Sequence, residues 1–208
     1  MKKCVIIGAA PCESFYFENI VRDAFVIAAD GGLDTARRFG VSADLFVGDM
    51  DSLCGAPPDV SCIKLPCEKD YSDMHVALNE AISRGFKDVC MVACTGGRAD
   101  HHLANLALLE FASIHSCKAT ILDSQNKIIY FGGGKIKLKR EREYKYIALI
   151  ALDEELTGVT LCGMKYPLTD ATLKRSEPIA ICNEPMADTM TINAHGRALI
   201  ILSGDSVI

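Results

Sequence analysis

Four groups of residues in the first half of the chain combine carboxylates with glycine, a cation or a hydroxyl: Ala29-Asp30-Gly31-Gly32, Gly48-Asp49-Met50-Asp51-Ser52, Glu68-Lys69-Asp70-Tyr71-Ser72-Asp73, and Thr95-Gly96-Gly97-Arg98-Ala99-Asp100-His101-His102-Leu103-Ala104-Asn105. In extended chain, residues two apart point the same way, so Asp49 and Asp51 present two carboxylates to one side. Like charges that close repel unless a cation joins them, and magnesium is the hard, oxygen-seeking ion that fits. A solvated acidic loop is the alternative. Asp70 and Asp73 open a helix, where one can cap it or favour its dipole. The same helix end welcomes phosphate, with Lys69 and a metal-bound Asp73 around it. Gly96 and Gly97 can form a backbone nest for oxygen anions, and Arg98 offers a rigid fork of donors. Asp30 and Asp100 each fit two roles, helix cap or ligand contact. The glycines after Asp30 allow a sharp turn or a close approach to a ligand. His101 and His102 are adjacent, point in different directions on a helix, and make no metal pair.

The elements that must hold these groups are legible in the hydrophobic pattern. Continuous apolar runs at Cys4–Gly8, Ala24–Ala29, Leu45–Val47, Val89–Ala93 and Ala119–Leu122 alternate with helical stripes, which implies a mostly parallel sheet covered on both faces. Ser72–Arg84 puts Met74, Ala77, Leu78, Ala81 and Ile82 on one stripe, and His101–Ile114 does so with Leu103, Leu106, Ala107, Phe111 and Ile114. All four acidic groups follow strands or open helices, and ligand crevices of open parallel sheets lie at the carboxyl ends of the strands. Beyond Gly132-Gly133-Gly134 the helical period disappears. Strand-length pieces at 144–152, 159–162, 178–182, 189–193 and 198–202, separated by polar turns, predict a small antiparallel sandwich or barrel. The expected division is an α/β unit over 1–131 and a β unit over 135–208, without internal repeats.

Composition narrows the classes. Half of the 208 residues are apolar, enough for a proper core. The net charge of −5 argues against an extended nucleic-acid interface, and the basic run 135–142 alternates as a strand with one wet face. The opening Met1-Lys2-Lys3 leads into only a short apolar run, so a first strand is expected and neither a signal peptide nor a membrane span. Ten scattered cysteines without any C-x-x-C pair read as reduced, hydrophobe-like thiols of a cytoplasmic protein; Cys54, Cys62 and Cys67 fit no ordinary zinc spacing.

The ordered set of blocks resembles the thiamine diphosphokinase family. The resemblance continues through Leu103-Ala-Asn-Leu-Ala-Leu-Leu109, and the later part of the chain is similar to the family's thiamine-binding portion at Gly158–Leu161, Gly163–Leu168 and Ile181-Cys-Asn-Glu184. The resemblance implies an N-terminal α/β nucleotide domain, a C-terminal β-sandwich, and a homodimer with active sites between subunits. By matched position, Asp49, Asp51, Asp73 and Asp100 would form the magnesium and phosphate cluster, with Arg98 on the phosphates. Asp30, Gly31, Gly32, Ser52, Lys69, Asp70, Gly96 and Gly97 would complete the ATP site, and Cys182 and Asn183 would face thiamine. Two positions depart from the family: Cys182 stands where serine is usual, a weaker hydrogen-bonding partner, and His75 where an acid is common.

The implied reaction moves a pyrophosphoryl group from ATP to the thiamine hydroxyl, releasing AMP. It requires in-line positioning and charge cancellation, with Asp73 or Asp100 as acceptor of the hydroxyl proton. No G-x-x-x-x-G-K-[ST] loop is present, so metal-bridged aspartates would take over phosphate neutralisation. Two rival readings are a phosphatase with Asp49 as covalent nucleophile and a non-enzymatic thiamine or nucleotide sensor.

Overall fold

The computed structural model describes residues 3–12, 17–49, 60–66 and 70–205, and divides into two compact units, Met1–Ser124 and Gln125–Ile208. The division lies just ahead of the triple glycine, because the strand Asn126–Phe131 pairs within the second unit.

The first unit contains strands β1 (Cys4–Ile7), β2 (Phe25–Ala29), β3 (Leu45–Gly48), β4 (Ser61–Lys64), β5 (Asp88–Val92) and β6 (Lys118–Leu122). They lie in the order β4-β3-β2-β1-β5-β6 and every pairing is parallel. Helices α1 (Phe17–Val21), α2 (Gly32–Arg38), α3 (Asp73–Ser83) and α4 (Ala99–Ile114) connect them. β1 and β3 are buried at every position, which is why their sequences are unbroken apolar runs. β4 is different: it is an edge strand, mostly exposed, and carries no such run. The sheet grows from β1 to β4 on one side and through β5 and β6 on the other, so its order reverses between β1 and β5.

The helices turn their small and aliphatic residues inward. α3 buries Met74, Ala77, Leu78 and Ala81 of the expected stripe and leaves Ile82 half-buried. α4 buries Asn105, Leu108, Leu109 and Ala112 instead of the expected stripe, leaving Leu103 66% and Ile114 72% exposed. Its sequence supports two apolar faces, and the inward one is anchored by a polar contact: Asn105 donates from Nδ2 to the Cys94 carbonyl at 2.8 Å. α2 starts against the end of β1 so closely that a Cβ on Gly32 would stand 1.9 Å from the Ile7 carbonyl oxygen. The close approach that this glycine permits is therefore to the protein's own backbone.

The second unit is all β. β7 (Asn126–Phe131), β13 (Ala198–Ser203) and β9 (Tyr146–Ala151) form one antiparallel layer in the order β7-β13-β9. β11 (Leu168–Lys174), β10 (Glu155–Cys162), β12 (Thr189–His195) and β8 (Gly134–Lys139) form the other. Inward residues alternate along the strands, as with Ile147, Leu149 and Ala151 on β9 and Met190, Ile192 and Ala194 on β12, and share one core. The basic run supplies β8, an edge strand with exposed Lys135, Lys137 and Lys139. The segment 178–182 is irregular rather than a strand. Ile179 and Ile181 are 70% and 47% exposed while Ala180 is buried, and the segment joins β9 through Leu149 N to Ala180 O and a single bridge between Ile147 and Asn183. Pro178 has no N–H to give a ladder.

Candidate functional site

The carboxyl ends of the parallel strands open into a crevice of about 550 Å³ at the order reversal between β1 and β5. Its walls come from the turn after β1 (Gly8–Pro11), the end of β2 (Ala29, Asp30), the entry to α3 (Asp70–Met74), the turn after β5 (Ala93, Cys94, Gly96–Arg98), and His101 and Asn105 of α4. Three expected groups thus converge. Asp30, Asp70, Asp73, Gly96, Gly97 and Arg98 all line one space.

Asp30 is held in an unusual way. Its φ is +50°, a left-handed conformation uncommon for a residue with a side chain, and its N–H bonds to the Val47 carbonyl at 2.8 Å. Its Oδ1 is buried and has no hydrogen-bond partner among the described residues. Gly31 occupies the N-cap position of α2, and no side chain caps that helix. The cap role for Asp30 is therefore excluded, and an unsatisfied carboxylate oxygen at a crevice wall calls for a donor or a cation. Gly31 and Gly32 do not line the crevice themselves.

At α3 the cap is Ser72, whose hydroxyl accepts from His75 N at 3.3 Å. Neither Asp70 nor Asp73 has to cap. Asp73 is the first helical residue and faces the crevice with Asp70. His75, the departure from the family acid, is occupied by rings: Tyr71, His75, Phe111 and His115 form a ladder with centroid spacings of 4.5, 4.5 and 4.3 Å. Burial, and then the nearby His115, push the His75 pKa below its ordinary value.

At α4 the N-cap position is Arg98, which makes no side-chain cap bond, so Asp100 is a first-turn acid and not the cap. Gly96 and Gly97 have φ of +78° and +65°, and this left-handed pair sets where the helix begins. The Gly96 N–H already donates to His102 Nδ1 at 3.0 Å, so the expected nest has one donor fewer for an anion. Arg98 grips Asp100 with two bonds, Nε to Oδ1 at 3.2 Å and Nη2 to Oδ2 at 2.6 Å. The Arg98 hydrogen bond, with help from the His101 N–H, holds the Asp100 carboxyl down at about 2. Both side chains are largely exposed, which leaves the fork free to exchange Asp100 for another anion.

Asp49 follows β3 directly, next to Gly48, whose backbone lies against that of Asp30. Neither Asp49 nor Asp100 lines the crevice. Asp51, Ser52 and Lys69 lie outside the described residues, as do Cys54 and Cys67. Among the described residues, no three His, Cys, Asp or Glu side chains gather as a metal cage. The eight described cysteines are free thiols; burial pushes Cys4 up to about 12 and raises Cys94 as well, so these are inert core residues.

In the second unit, Asn183 is 4% exposed and its amide is fully engaged. Oδ1 accepts from Tyr166 N at 2.9 Å and Glu184 N at 3.0 Å, while Nδ2 donates to Tyr166 O at 2.8 Å and reaches Met164 Sδ at 3.6 Å. The side chain thus ties two loops together. Cys182 beside it is exposed, with φ +54°.

Sequence reasoning assigned no role to the Gly8–Pro11 turn, Tyr71 or Asn105. Gly8 and Pro11 directly after the first apolar run were the available signal, and Asn105 ends the fourth group, a polar residue within an otherwise apolar helical segment.

An open parallel sheet with a carboxylate-lined crevice at its order reversal, in one chain with an antiparallel sandwich, defines a two-unit α/β-plus-β ligand-binding protein. Comparison with known proteins narrows this class. Residues 17–121 match the model of the thiamin pyrophosphokinase catalytic domain, and residues 134–196 that of the thiamin pyrophosphokinase vitamin B1 binding domain. The chain is 30% identical to the thiamine pyrophosphokinase of Bacillus subtilis over 188 residues, 86% of this chain and 87% of that protein. Crystal structures of the thiamine pyrophosphokinases of Bacillus subtilis and Geobacillus thermodenitrificans superpose with TM-scores of 0.89 and 0.87, at 27% and 29% identity. The first alignment covers 98% of this chain and 100% of the other, the second 98% of each. The Candida albicans enzyme shares the fold alone, at 11% identity, with a TM-score of 0.81 over 98% of this chain and 90% of that one. This chain belongs to the thiamin pyrophosphokinase family.

Proposed function

We propose that the chain transfers a pyrophosphoryl group from ATP to the hydroxyl of thiamine, giving thiamine diphosphate and AMP. The observation that carries this reading is the succession of the two family domains along one chain, catalytic over 17–121 and vitamin B1-binding over 134–196. The crevice supports it, because its acidic walls and Arg98 suit a metal-neutralised polyphosphate.

In the transfer, the thiamine oxygen bonds to the β-phosphorus, the bond from that phosphorus to the α,β-bridging oxygen breaks, and AMP leaves with that oxygen. The hydroxyl proton passes to a carboxylate. Asp73, on the crevice wall, is one acceptor, and Asp100, once Arg98 turns from it to a phosphate, is the other. Arg98 would release Asp100 and grip a phosphate through the same fork. Lys69, Asp70, Ser52 and the Gly96-Gly97 turn would complete the nucleotide site.

Magnesium fits these donors. It binds through one or two carboxylates with water and phosphate oxygens, so it needs no three-carboxylate cage, and Asp30 keeps an unpartnered oxygen in the crevice wall. Asp73 and Asp30 on the crevice wall, with Asp49, Asp51 and Asp100 of the resemblance, would hold it. Bound there, it would neutralise the charge of the triphosphate.

Thiamine would be held by the second unit, with Asn183 ordering the loop that presents Cys182. The family resemblance extends to a homodimer with active sites between subunits; light scattering at twice 22.5 kDa supports this, and a lone 22.5 kDa species refutes it. The free thiols favour a reducing, cytoplasmic setting. Among the described residues no helix is long and apolar enough to cross a membrane.

The test is nucleotide consumption with and without thiamine in the presence of magnesium. Consumption that requires thiamine supports the transfer. Release of inorganic phosphate at the same rate without thiamine would identify a phosphatase instead.

A further inference from the structure

The four-ring ladder on α3 and α4 ends at the crevice. Tyr71, just before the α3 cap, lines the cavity beside Asp70, Ser72 and Asp73, and its ring meets His75 at 4.5 Å with a 52° tilt. His75 in turn meets Phe111, and Phe111 meets His115, so the Tyr71 ring is braced from behind by side chains of two helices. Despite that bracing Tyr71 remains 59% exposed. A large ring held in place yet mostly open, on the wall of a ligand crevice, has surface to offer.

The rest of the crevice offers little else of this kind. The chain has no tryptophan, and among the described residues Tyr71 is the only phenylalanine or tyrosine in the lining. Among the described residues, the remaining wall is small residues, Pro11, Met74, carboxylates, Arg98, His101 and Asn105. Of the other planar side chains there, Arg98 is engaged with Asp100, Asn105 with the Cys94 carbonyl, and the His101 ring is smaller than that of Tyr71. Planar bases gain affinity from stacking on aromatic side chains, and the gain is tolerant of base identity because every base has a π-face.

We infer that Tyr71 is the stacking platform for the nucleobase of the nucleotide substrate, held by the His75–Phe111–His115 ladder. The inference rests on the nucleotide reading of the crevice. It assigns to the base a determinant separate from the acidic residues and Arg98, which act on phosphates.

The experiment compares wild type, Tyr71→Ala and Tyr71→Phe in binding AMP, ATP and inorganic tripolyphosphate, with KM for ATP and for thiamine measured in parallel. Tyr71→Ala is expected to weaken AMP and ATP binding about tenfold or more. Tripolyphosphate affinity and thiamine KM should stay unchanged, and Tyr71→Phe, which keeps the ring, should retain wild-type affinity. Because the protein has no tryptophan, its tyrosine emission is directly readable, and AMP should quench it in wild type and less in Tyr71→Ala. Equal weakening of ATP and tripolyphosphate, or a rise in thiamine KM with ATP unaffected, would overturn the inference. If wild type binds tripolyphosphate and thiamine but neither AMP nor ATP, the nucleotide reading itself fails, and the inference with it.

Discussion

Replacing Asn183 by alanine separates a residue that touches ligand from one that organises a loop. In the structure the side chain serves three backbone groups, the N–H groups of Tyr166 and Glu184 and the carbonyl of Tyr166, at 2.8–3.0 Å. Alanine would remove all three partners, while the backbone bonds between Asn183 and Ile147 survive. Each internal hydrogen bond is worth about 1 kcal/mol net, and a buried orphan costs up to about 3 kcal/mol. Tyr166 is 57% exposed, so water can reach part of the vacated site, and the lower figure applies to each bond. The expected loss is about 3 kcal/mol, a fall in Tm of roughly 6–12 °C for a chain of this size. Asn183→Asp should also destabilise, because it keeps the acceptor, loses the donor and sets a carboxylate against the Tyr166 carbonyl. Thermal melts of the purified variants, with and without thiamine, give the answer. If Asn183→Ala melts within about 2 °C of wild type while its thiamine KM rises tenfold, the residue is a ligand contact and the loop-tying role is wrong.

Other consequences are equally direct. The Arg98 bond lowers the Asp100 pKa from its ordinary 3.8 to about 2, so the pair's contribution is present above about pH 4 and is lost as pH falls through the folded value. An NMR titration of the Asp100 carboxyl should show a midpoint near 2 that returns towards 3.8 in Arg98→Ala; an unchanged midpoint would refute the pairing. Gly32→Ala places a methyl 1.9 Å from the Ile7 carbonyl oxygen, where only backbone can move, and should cost about 3 kcal/mol or more in a denaturant melt. Cys182→Ser, at an exposed position, should leave the melt unchanged and hold or lower thiamine KM; a tenfold rise would mean that the thiol has a role of its own.

The parallel sheet was legible because strands buried on both faces must be apolar at every position, as Cys4–Ile7 and Leu45–Gly48 are. Helix α3 was equally clear, its one apolar stripe matching its buried face. Where burial is partial, the pattern misled. β4 and β11 are mostly exposed and have no run to read, and 178–182 alternates apolar residues whose isoleucines point to solvent. In α4 two apolar faces compete, and the inward one is decided by the Asn105 bond to Cys94, a contact between segments that no local pattern carries. The site was legible as a set of acidic groups at strand ends. Their individual roles were not, because Ser72 caps α3, Arg98 starts α4, and Asp30 is left with an unpartnered oxygen, all consequences of backbone geometry.

The transfer of two phosphorus atoms in one step is the central claim, and ³¹P NMR of a single reaction with ATP, magnesium and thiamine tests it. The expected spectrum shows AMP and thiamine diphosphate growing in equal amounts from the start, with neither ADP nor thiamine monophosphate as an intermediate. Stoichiometric ADP with thiamine monophosphate would mean attack at the γ-phosphorus and would contradict the assignment.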